Sequence, residues 1–247
     1  MRNKYTGINL GPIVSTLSMA RRPRELWSAS YLFSYLMECI IDQVNGKYKI
    51  ISPARVENFK LGIGLYPDRL FIKGELSNVE EILDSAWGKI ESLDSSLSRE
   101  YFNIMVTSCE ASKDSDAIKV LNSQFDTLEL FNIAKEESDT QSVYNFITEA
   151  TESKLYNKAT GKQKFEVETL AEIAAKSLSN YPKWNELRKF LRSEDEKIGY
   201  NNYKDQLKGY HKYICIVQAD GDNIGKTVSN SGLKDGDVEK LSGSLLK

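Results

Sequence analysis

The chain has few of the residues on which many catalytic and metal sites depend. Its 247 residues include a single histidine, His211. That count excludes multi-histidine zinc sites and histidine–aspartate nuclease sites within the chain, and a serine–histidine–aspartate triad would have to use this one residue. His211 lies just before an apolar strand, a position typical of a surface or structural histidine.

Cysteine is also scarce, and no two cysteines are close in sequence. Cys39, Cys109 and Cys215 form no Cys-x-x-Cys pair, so neither a zinc ribbon nor a disulfide framework is predicted. Reduced thiols and the lack of an apolar run of about 18 residues predict a cytoplasmic protein without a transmembrane helix. The first residues do not resemble the apolar core of a signal peptide.

The charge of the chain is nearly balanced. Lysine and arginine total 33 and aspartate and glutamate total 35, which gives a net charge of -2. A nucleic-acid surface would therefore have to come from a local basic patch and not from the overall field of the protein. The length allows one large or two small domains.

Apolar periodicity between residues 4 and 108 predicts a β-α-β-β-α-β order. The predicted strands are residues 5–10, 48–51, 69–73 and 101–107. The predicted helices are residues 13–20, then a helix with an apolar stripe at 31–40 that ends near Asn45-Gly46, and residues 79–93 with an N-cap at Ser77-Asn78. This is the order of a ferredoxin-like, or palm, domain, in which helices cover one face of a four-stranded antiparallel sheet. The other face would bind a ligand or pack on another domain.

The rest of the chain predicts a mainly helical connector and the beginning of a second palm domain. Residues 112–205 are polar, with four helical stretches and no clear strand. Residues 213–219 form an apolar strand, and a helical pattern begins at residue 238. The predicted class is α+β, with a first palm domain at 1–110, a helical connector at 111–208 and the first β-α unit of a second, catalytic palm at 209–247.

The strongest chemical signal follows the apolar strand. Asp220-Gly221-Asp222 places two carboxylates and a backbone carbonyl at a strand end, which suits a hard divalent cation such as Mg2+. Such an ion neutralises a nucleoside triphosphate during in-line displacement. Gly221 permits close approach of a phosphate, and Lys226 could meet a phosphate as a point charge.

Two other interpretations apply to the same residues. Asp-Gly after a strand is also a common turn signal, so a plain turn or a weak cation site stays open as an alternative to catalysis. Gly225-Lys226-Thr227 resembles the end of a P-loop, but Asp220 stands where the first glycine is required and its charge would repel phosphate. The P-loop is therefore rejected.

A basic segment near the N-terminus is the second signal. Arg21, Arg22 and Arg24 are followed by Trp27. Arginine clusters bind phosphate or carboxylate, which leaves RNA, a nucleotide and an acidic partner surface open as ligands. Trp27 could stack on a base, but a place in the hydrophobic core is the preferred interpretation.

The order of these segments resembles that of the large subunit of type III CRISPR effector complexes, in its Cmr-like branch. The segments are Gly11-Pro12-Ile13, the run at 20–36, Ile51-Ser52-Pro53, the run at 64–69, and the run at 219–226. The departures are Val14 where this branch usually has glutamine, and Glu25 where it usually has aspartate. No Gly-Gly pair occurs, so the family's Gly-Gly-Asp-Asp hairpin is missing. We therefore expect these residues to be the N-terminal portion of a longer protein, and we expect this portion to be inactive alone.

The resemblance implies a metal-dependent nucleotidyltransferase that binds ATP between two palms when guide RNA has paired with target RNA. Its product would be a cyclic oligoadenylate, or an AMP conjugate made with S-adenosylmethionine as co-substrate, and its partners would be the other effector subunits. The implied catalytic and metal-binding residues (with Mg2+ or Mn2+) are Asp220 and Asp222. The implied cofactor-binding residues are Gly221, Asn223, Lys226 and Ser30, and the residues at the RNA or inter-palm surface are Arg21, Arg22 and Arg24.

Two other functions remain compatible with the sequence. A non-catalytic RNA-binding or scaffold subunit would use the same ferredoxin-like domain, although the RNA-recognition signature is absent from residues 48–73. A diguanylate-cyclase-like enzyme would also need a Gly-Gly-Asp/Glu hairpin, which these residues lack.

Overall fold

The first strand is central in the sheet of this protein. In the computed structural model, β1 runs from Asn3 to Gly11, and every residue from Tyr5 to Leu10 is buried. A strand buried on both faces needs a layer of side chains above it and another below it. The structure describes residues 2–21, 23–54, 65–130, 137–148, 155–158, 180, 182–192, 233–234 and 236–245.

The described elements follow the predicted order through the first half of the chain. After β1 come α1 (Ile13–Met19), α2 (Pro23–Val44), β2 (Lys49–Ser52), β3 (Arg69–Lys73), α3 (Val79–Glu91), a 3-10 turn (Arg99–Tyr101), β4 (Asn103–Ala111), α4 (Asp114–Glu129), α5 (Glu137–Thr148), α6 (Trp184–Arg192) and α7 (Asp237–Leu245). No helix among the described residues is long and apolar enough to cross a membrane.

All four described strands form one antiparallel sheet in the order β2-β3-β1-β4. Gly7 of β1 lies opposite Phe71 of β3 and opposite Thr107 of β4, which sets the register of the central three strands. The predicted α+β class and the small four-stranded antiparallel sheet are confirmed.

Helices α2 and α3 cover the first face of the sheet. Ile8 and Leu10 of β1 and Ile72 of β3 point into a core that also contains the apolar stripes of both helices. Pro23 begins α2, where its missing N–H costs no hydrogen bond, and Gly46 follows the helix with a φ of 79°, which a glycine adopts freely. Burial in this core raises the pKa of the Cys39 thiol to about 11.

Helix α4 lies on the second face of the sheet. Its residues Ala117, Ile118, Leu121 and Phe125 are buried against Tyr5 and the inner positions of β3 and β4. From the sequence, this face was expected to bind a ligand or pack on another domain. In the structure, α4, the helix directly after β4, covers it. The face is therefore a second hydrophobic layer.

A buried carboxylate joins this layer to the last described helix. Asp114, only 1% exposed, accepts hydrogen bonds from the Tyr5 hydroxyl at 2.9 Å and the backbone N–H of Gly236 at 3.3 Å, and its Oδ1 lies 3.2 Å from the Lys73 ammonium. Burial, and then the neighbouring Asp114, raise the pKa of Tyr5. Val238 of α7 is buried in the same cluster.

Two local predictions differ from the structure. The fourth strand was expected at residues 101–107 but spans Asn103–Ala111, because Arg99–Tyr101 form a 3-10 turn that buries Tyr101. Asn78 precedes α3 as predicted, but its side chain donates to Glu81 at 3.1 Å and does not cap the helix backbone. The predicted strand at 213–219 lies outside the described residues.

Gly7 allows α4 to approach the sheet closely. A Cβ built at this position would lie 2.8 Å from Cζ and 2.9 Å from Cε2 of the buried Phe125 ring. Carbon atoms in contact are normally about 3.5–4.0 Å apart, so any side chain here would displace the ring or the helix.

We therefore expect Gly7→Ala to lower the free energy of unfolding by about 1–3 kcal/mol, as overpacked core positions do. Urea denaturation followed by circular dichroism measures the change. Gly88→Ala is the matched control: Gly88 lies in α3 with no atom within 4 Å of its added Cβ, so alanine should stabilise the helix by up to about 1 kcal/mol. Equal stability of Gly7→Ala and wild type would contradict the described packing of Phe125.

Candidate functional site at the end of the first strand

The residues predicted from sequence divide into two groups. Ser30, Arg21 and Arg24 belong to the described part of the chain and lie on or next to α2. The remaining predicted residues lie outside the described residues: Arg22, Asp220, Gly221, Asp222, Asn223 and Lys226. Their roles stay predictions.

The start of α2 is held by a buried carboxylate. The backbone N–H of Arg21 donates to Oε2 of Glu25 at 2.8 Å, and Glu25 is only 4% exposed. An acidic side chain in the first helical turn thus accepts a hydrogen bond from the backbone before the helix, which resembles one half of a capping box. Arg21 is exposed and Arg24 is half-buried, so this hydrogen bond fixes the backbone of Arg21 while its side chain reaches solvent.

Trp27 belongs to an aromatic row along α2. Its ring stacks on Tyr31 at 5.0 Å between centroids and meets Tyr156 edge-on at 5.4 Å, and Tyr31 stacks in turn on Tyr35 at 6.5 Å. Burial raises the pKa of Tyr31 to about 12. The preferred interpretation of Trp27 as a residue packed against the core is therefore confirmed.

Ser30 lies at a small pocket between α2 and the segment before β3. The pocket has a volume of about 330 Å³. Ser34 stands in its wall and accepts a hydrogen bond from the backbone N–H of Tyr66 at 2.8 Å, which ties α2 to this segment. The other lining residues are Ile13, Val14, Phe33, Pro67 and Asp68.

A larger cleft of about 800 Å³ lies where β1 ends. We call it the β1 cleft. Its walls come from the end of β1 and the start of α1, the start of β4, and the end of α4; the lining residues are Asn9 to Ser15, Asp68, Phe102 to Met105, Leu128 and Glu129. It shares Ile13, Val14 and Asp68 with the Ser30 pocket, so the two concavities are neighbours.

A polar network stands behind one wall of the β1 cleft. Asn9 donates through Nδ2 to Oε1 of Glu129 at 2.9 Å, and the Arg69 guanidinium donates to Glu129 at 3.1 Å, to Asp126 at 2.9 Å and to Asn122 at 2.7 Å. Burial lowers the pKa of Arg69, but the hydrogen bonds to Asp126 and Glu129 outweigh it and leave the pKa raised.

Asn9 is the unusual member of this network. Its side chain is 1% exposed, and its Oδ1 has no hydrogen-bond partner among the described residues. The orientation of the amide follows from its neighbour, because only the Nδ2 end can donate to the Glu129 carboxylate. A buried acceptor without a donor costs about 1–3 kcal/mol, so Asn9 weakens the fold at this point.

Sequence reasoning did not single out Asn9, Asp68 or Glu129. The available signal was a carboxamide at position 9, inside a strand whose other inner residues are mostly apolar. The position of Asn9, Asp68 and Glu129 around one cleft could not be read from the chain, because these residues are distant in sequence. Within the part of the chain that the structure describes, no three histidine, cysteine or acidic residues are arranged to hold a metal ion.

We expect Glu25→Ala to lower the free energy of unfolding by about 1–2 kcal/mol, because it removes the acceptor for the Arg21 N–H at the start of α2. Glu25→Gln keeps an acceptor and should lose less. Thermal and urea denaturation measure both. The control is Glu80→Ala, an exposed residue in the first turn of α3, for which a change within about 0.5 kcal/mol is expected. Equal losses for Glu25→Ala and Glu80→Ala would refute the anchoring role.

Comparison with known proteins identifies the region that contains the Ser30 pocket and most of the β1 cleft. Residues 5–126 match the family described as CRISPR-associated protein Cmr2, N-terminal. No curated protein sequence matches the chain. The matched region contains all four described strands, the arginine cluster and Ser30, and it confirms the resemblance that begins at Gly11-Pro12. Through residues 5–126, the chain belongs to the Cmr2 N-terminal family of CRISPR-associated proteins.

Proposed function

We propose that the chain is the N-terminal part of the large subunit of a type III CRISPR effector, which makes a signalling nucleotide from ATP when guide RNA is paired with target RNA. The observation that carries the proposal is the family match over residues 5–126. The Asp220-Gly221-Asp222 motif after the apolar run at 213–219 supports the enzymatic part. The product would be a cyclic oligoadenylate, or an AMP conjugate formed with S-adenosylmethionine.

The arrangement of the described sheet supports a palm assignment. A β-α-β-β-α-β order with the antiparallel strand order β2-β3-β1-β4 is typical of ferredoxin-like domains. In this interpretation the described sheet is the first palm, and the residues around position 220 begin the second. Many unrelated functions use this fold, so the fold by itself does not identify the reaction.

We assign the Ser30 pocket as the place where the first palm contacts the nucleotide. Ile13, Phe33 and Tyr66 provide apolar surface for a base or ribose, and the Ser30 hydroxyl can exchange hydrogen bonds with it. Arg24 is six residues before Ser30 on α2, which is about 9 Å along the helix axis. A nucleotide in the pocket could therefore extend its phosphates toward the arginine cluster.

The metal site of this proposal lies in the second palm. Mg2+ would supply charge neutralisation at the reacting phosphates, and the described residues offer no site for it. Asp220 and Asp222, with the Gly221 carbonyl, have the oxygen ligands that the ion prefers. Lys226 and Asn223 would orient the phosphates, through a positive charge and an amide group.

A scaffold role is the second candidate. In this case the two palms would only assemble the complex and hold RNA, and Arg21 and Arg24 would contact RNA phosphates in place of a nucleotide. The exposed position of Arg21 is compatible with either ligand. Product formation therefore distinguishes the two roles, whereas RNA binding does not.

We expect Asp220→Ala to abolish nucleotide synthesis. The assay uses the chain with its native C-terminal continuation, in the assembled effector, with target RNA, Mg2+ and labelled ATP, with and without S-adenosylmethionine. Loss of a metal-binding carboxylate should lower product formation about a hundredfold or more. Glu91→Ala, a carboxylate on the exposed side of α3, is the control and should leave the rate unchanged. If wild type makes no product while it binds target RNA, the scaffold role is correct.

We expect Ser30→Leu to fill the entrance of its pocket and raise the apparent KM for ATP about tenfold, which corresponds to about 1.4 kcal/mol of binding. Ser85→Leu, the same change at an exposed position of α3, is the matched control. Both variants are assayed in the assembled effector beside wild type. Unchanged KM and rate in Ser30→Leu would exclude the pocket as a nucleotide site and leave the metal-site proposal intact.

A further inference from the structure

We propose that the β1 cleft binds the guanidinium of an arginine that another polypeptide presents. The cleft combines a buried acceptor without a donor, two carboxylates and an apolar wall. This inference does not rest on nucleotide synthesis, since the described lining of the cleft does not include Ser30.

The unsatisfied acceptor is the first argument. Oδ1 of Asn9 is part of an amide whose other end is bonded at 2.9 Å to Glu129, and Asn9 and Glu129 both line the cleft. Asn9 lies in the wall of the cleft, so an incoming N–H would reach its buried Oδ1 after a side-chain movement. The ligand must therefore be a hydrogen-bond donor.

Charge is the second argument. Among the described residues that line the cleft, Asp68 and Glu129 carry charge, and the Arg69 guanidinium that pairs with Glu129 at 3.1 Å is not part of this lining. The described lining thus presents carboxylates and no cation to a ligand, so the cleft favours a cation over a nucleotide phosphate or an RNA backbone. A resident metal ion fits poorly, because the described residues contain no group of three metal-ligating side chains.

The apolar wall distinguishes an amino-acid side chain from a small inorganic cation. Val14 is 79% exposed and Leu128 is 39% exposed, and Ile104 and Met105 complete the wall. An arginine can lay its methylene stem on such a surface while its planar head donates several hydrogen bonds at once. Three acceptor side chains in one lining, those of Asn9, Glu129 and Asp68, match a forked donor better than the single ammonium of lysine.

The partner is a polypeptide because the surface around the cleft extends beyond one side chain. Leu130, 82% exposed, follows directly after α4 and adds exposed apolar surface at the end of the helix that borders the cleft. A segment in which arginine is flanked by aliphatic residues would cover this rim and place its guanidinium between the carboxylates. Family membership supports such a contact, since a large effector subunit is assembled with other proteins.

The test measures binding of a defined probe to the 247-residue chain. Acetyl-Leu-Arg-Leu-amide is titrated into the 15N- and methyl-labelled protein and followed by NMR. We expect saturable shifts of the Asn9 side-chain amide and of the Val14, Met105 and Leu128 methyl groups, with a dissociation constant of about 1 mM. Acetyl-Leu-citrulline-Leu-amide, which has the same shape without the charge, should bind about tenfold more weakly.

Variants separate the cleft from general charge effects. Asn9→Leu should weaken binding of the arginine probe about tenfold, because it removes the Oδ1 acceptor; since it also removes the hydrogen bond to Glu129, its folding is checked by its melting temperature. Asp68→Asn should weaken binding similarly, and Glu110→Gln, an exposed carboxylate of β4 outside the cleft, should not. Equal binding of the citrulline peptide, unchanged binding by Asn9→Leu, or preferential binding of adenosine at the same residues would each overturn the proposal.

Discussion

The burial of both faces of β1 is the constraint on which the described structure depends. Antiparallel pairing with β3 and β4 satisfies the backbone of this strand, and its side chains then alternate between two separate cores. One core requires α2 and α3, and the other requires α4. The close approach of the Phe125 ring to Gly7 follows from the second requirement, since the ring occupies the space that a side chain at position 7 would fill.

The same two-sided burial explains where the surface features occur. A strand covered on both faces is accessible only at its ends, and the β1 cleft and the Ser30 pocket both lie where β1 passes into α1. Ile13, Val14 and Asp68 line both of them. A nucleotide in one and a partner side chain in the other would therefore contact the same short segment.

Two buried polar residues, Asp114 and Asn9, contribute to this fold in different ways. Asp114 is almost fully buried but is matched by the Tyr5 hydroxyl, the Lys73 ammonium and the Gly236 N–H, so it joins α4, the sheet and the start of α7. Asn9 is equally buried, but one of its two polar atoms has no donor among the described residues. The first arrangement stabilises a contact between distant parts of the chain, and the second leaves hydrogen-bonding capacity for a ligand.

Much of the fold was determined by local sequence. The helices and strands up to residue 111 follow from apolar periods of 3.6 and 2 residues, and Pro23 and Gly46 limit α2 by their backbone preferences. The landmarks at Gly11-Pro12 and the arginine cluster also sufficed to recognise the family. Such features can be read from the sequence because each depends on residues that are near one another in the chain.

Only the tertiary structure decided which distant residues meet. It placed α4 on the face that the sequence left open, and it turned Trp27 toward Tyr31 and Tyr156. It brought Asn9, Asp68 and Glu129 to one cleft, although more than fifty residues separate each from the next. Sequence periodicity determines which side of an element is buried, but the neighbour on that side depends on how all the layers pack together.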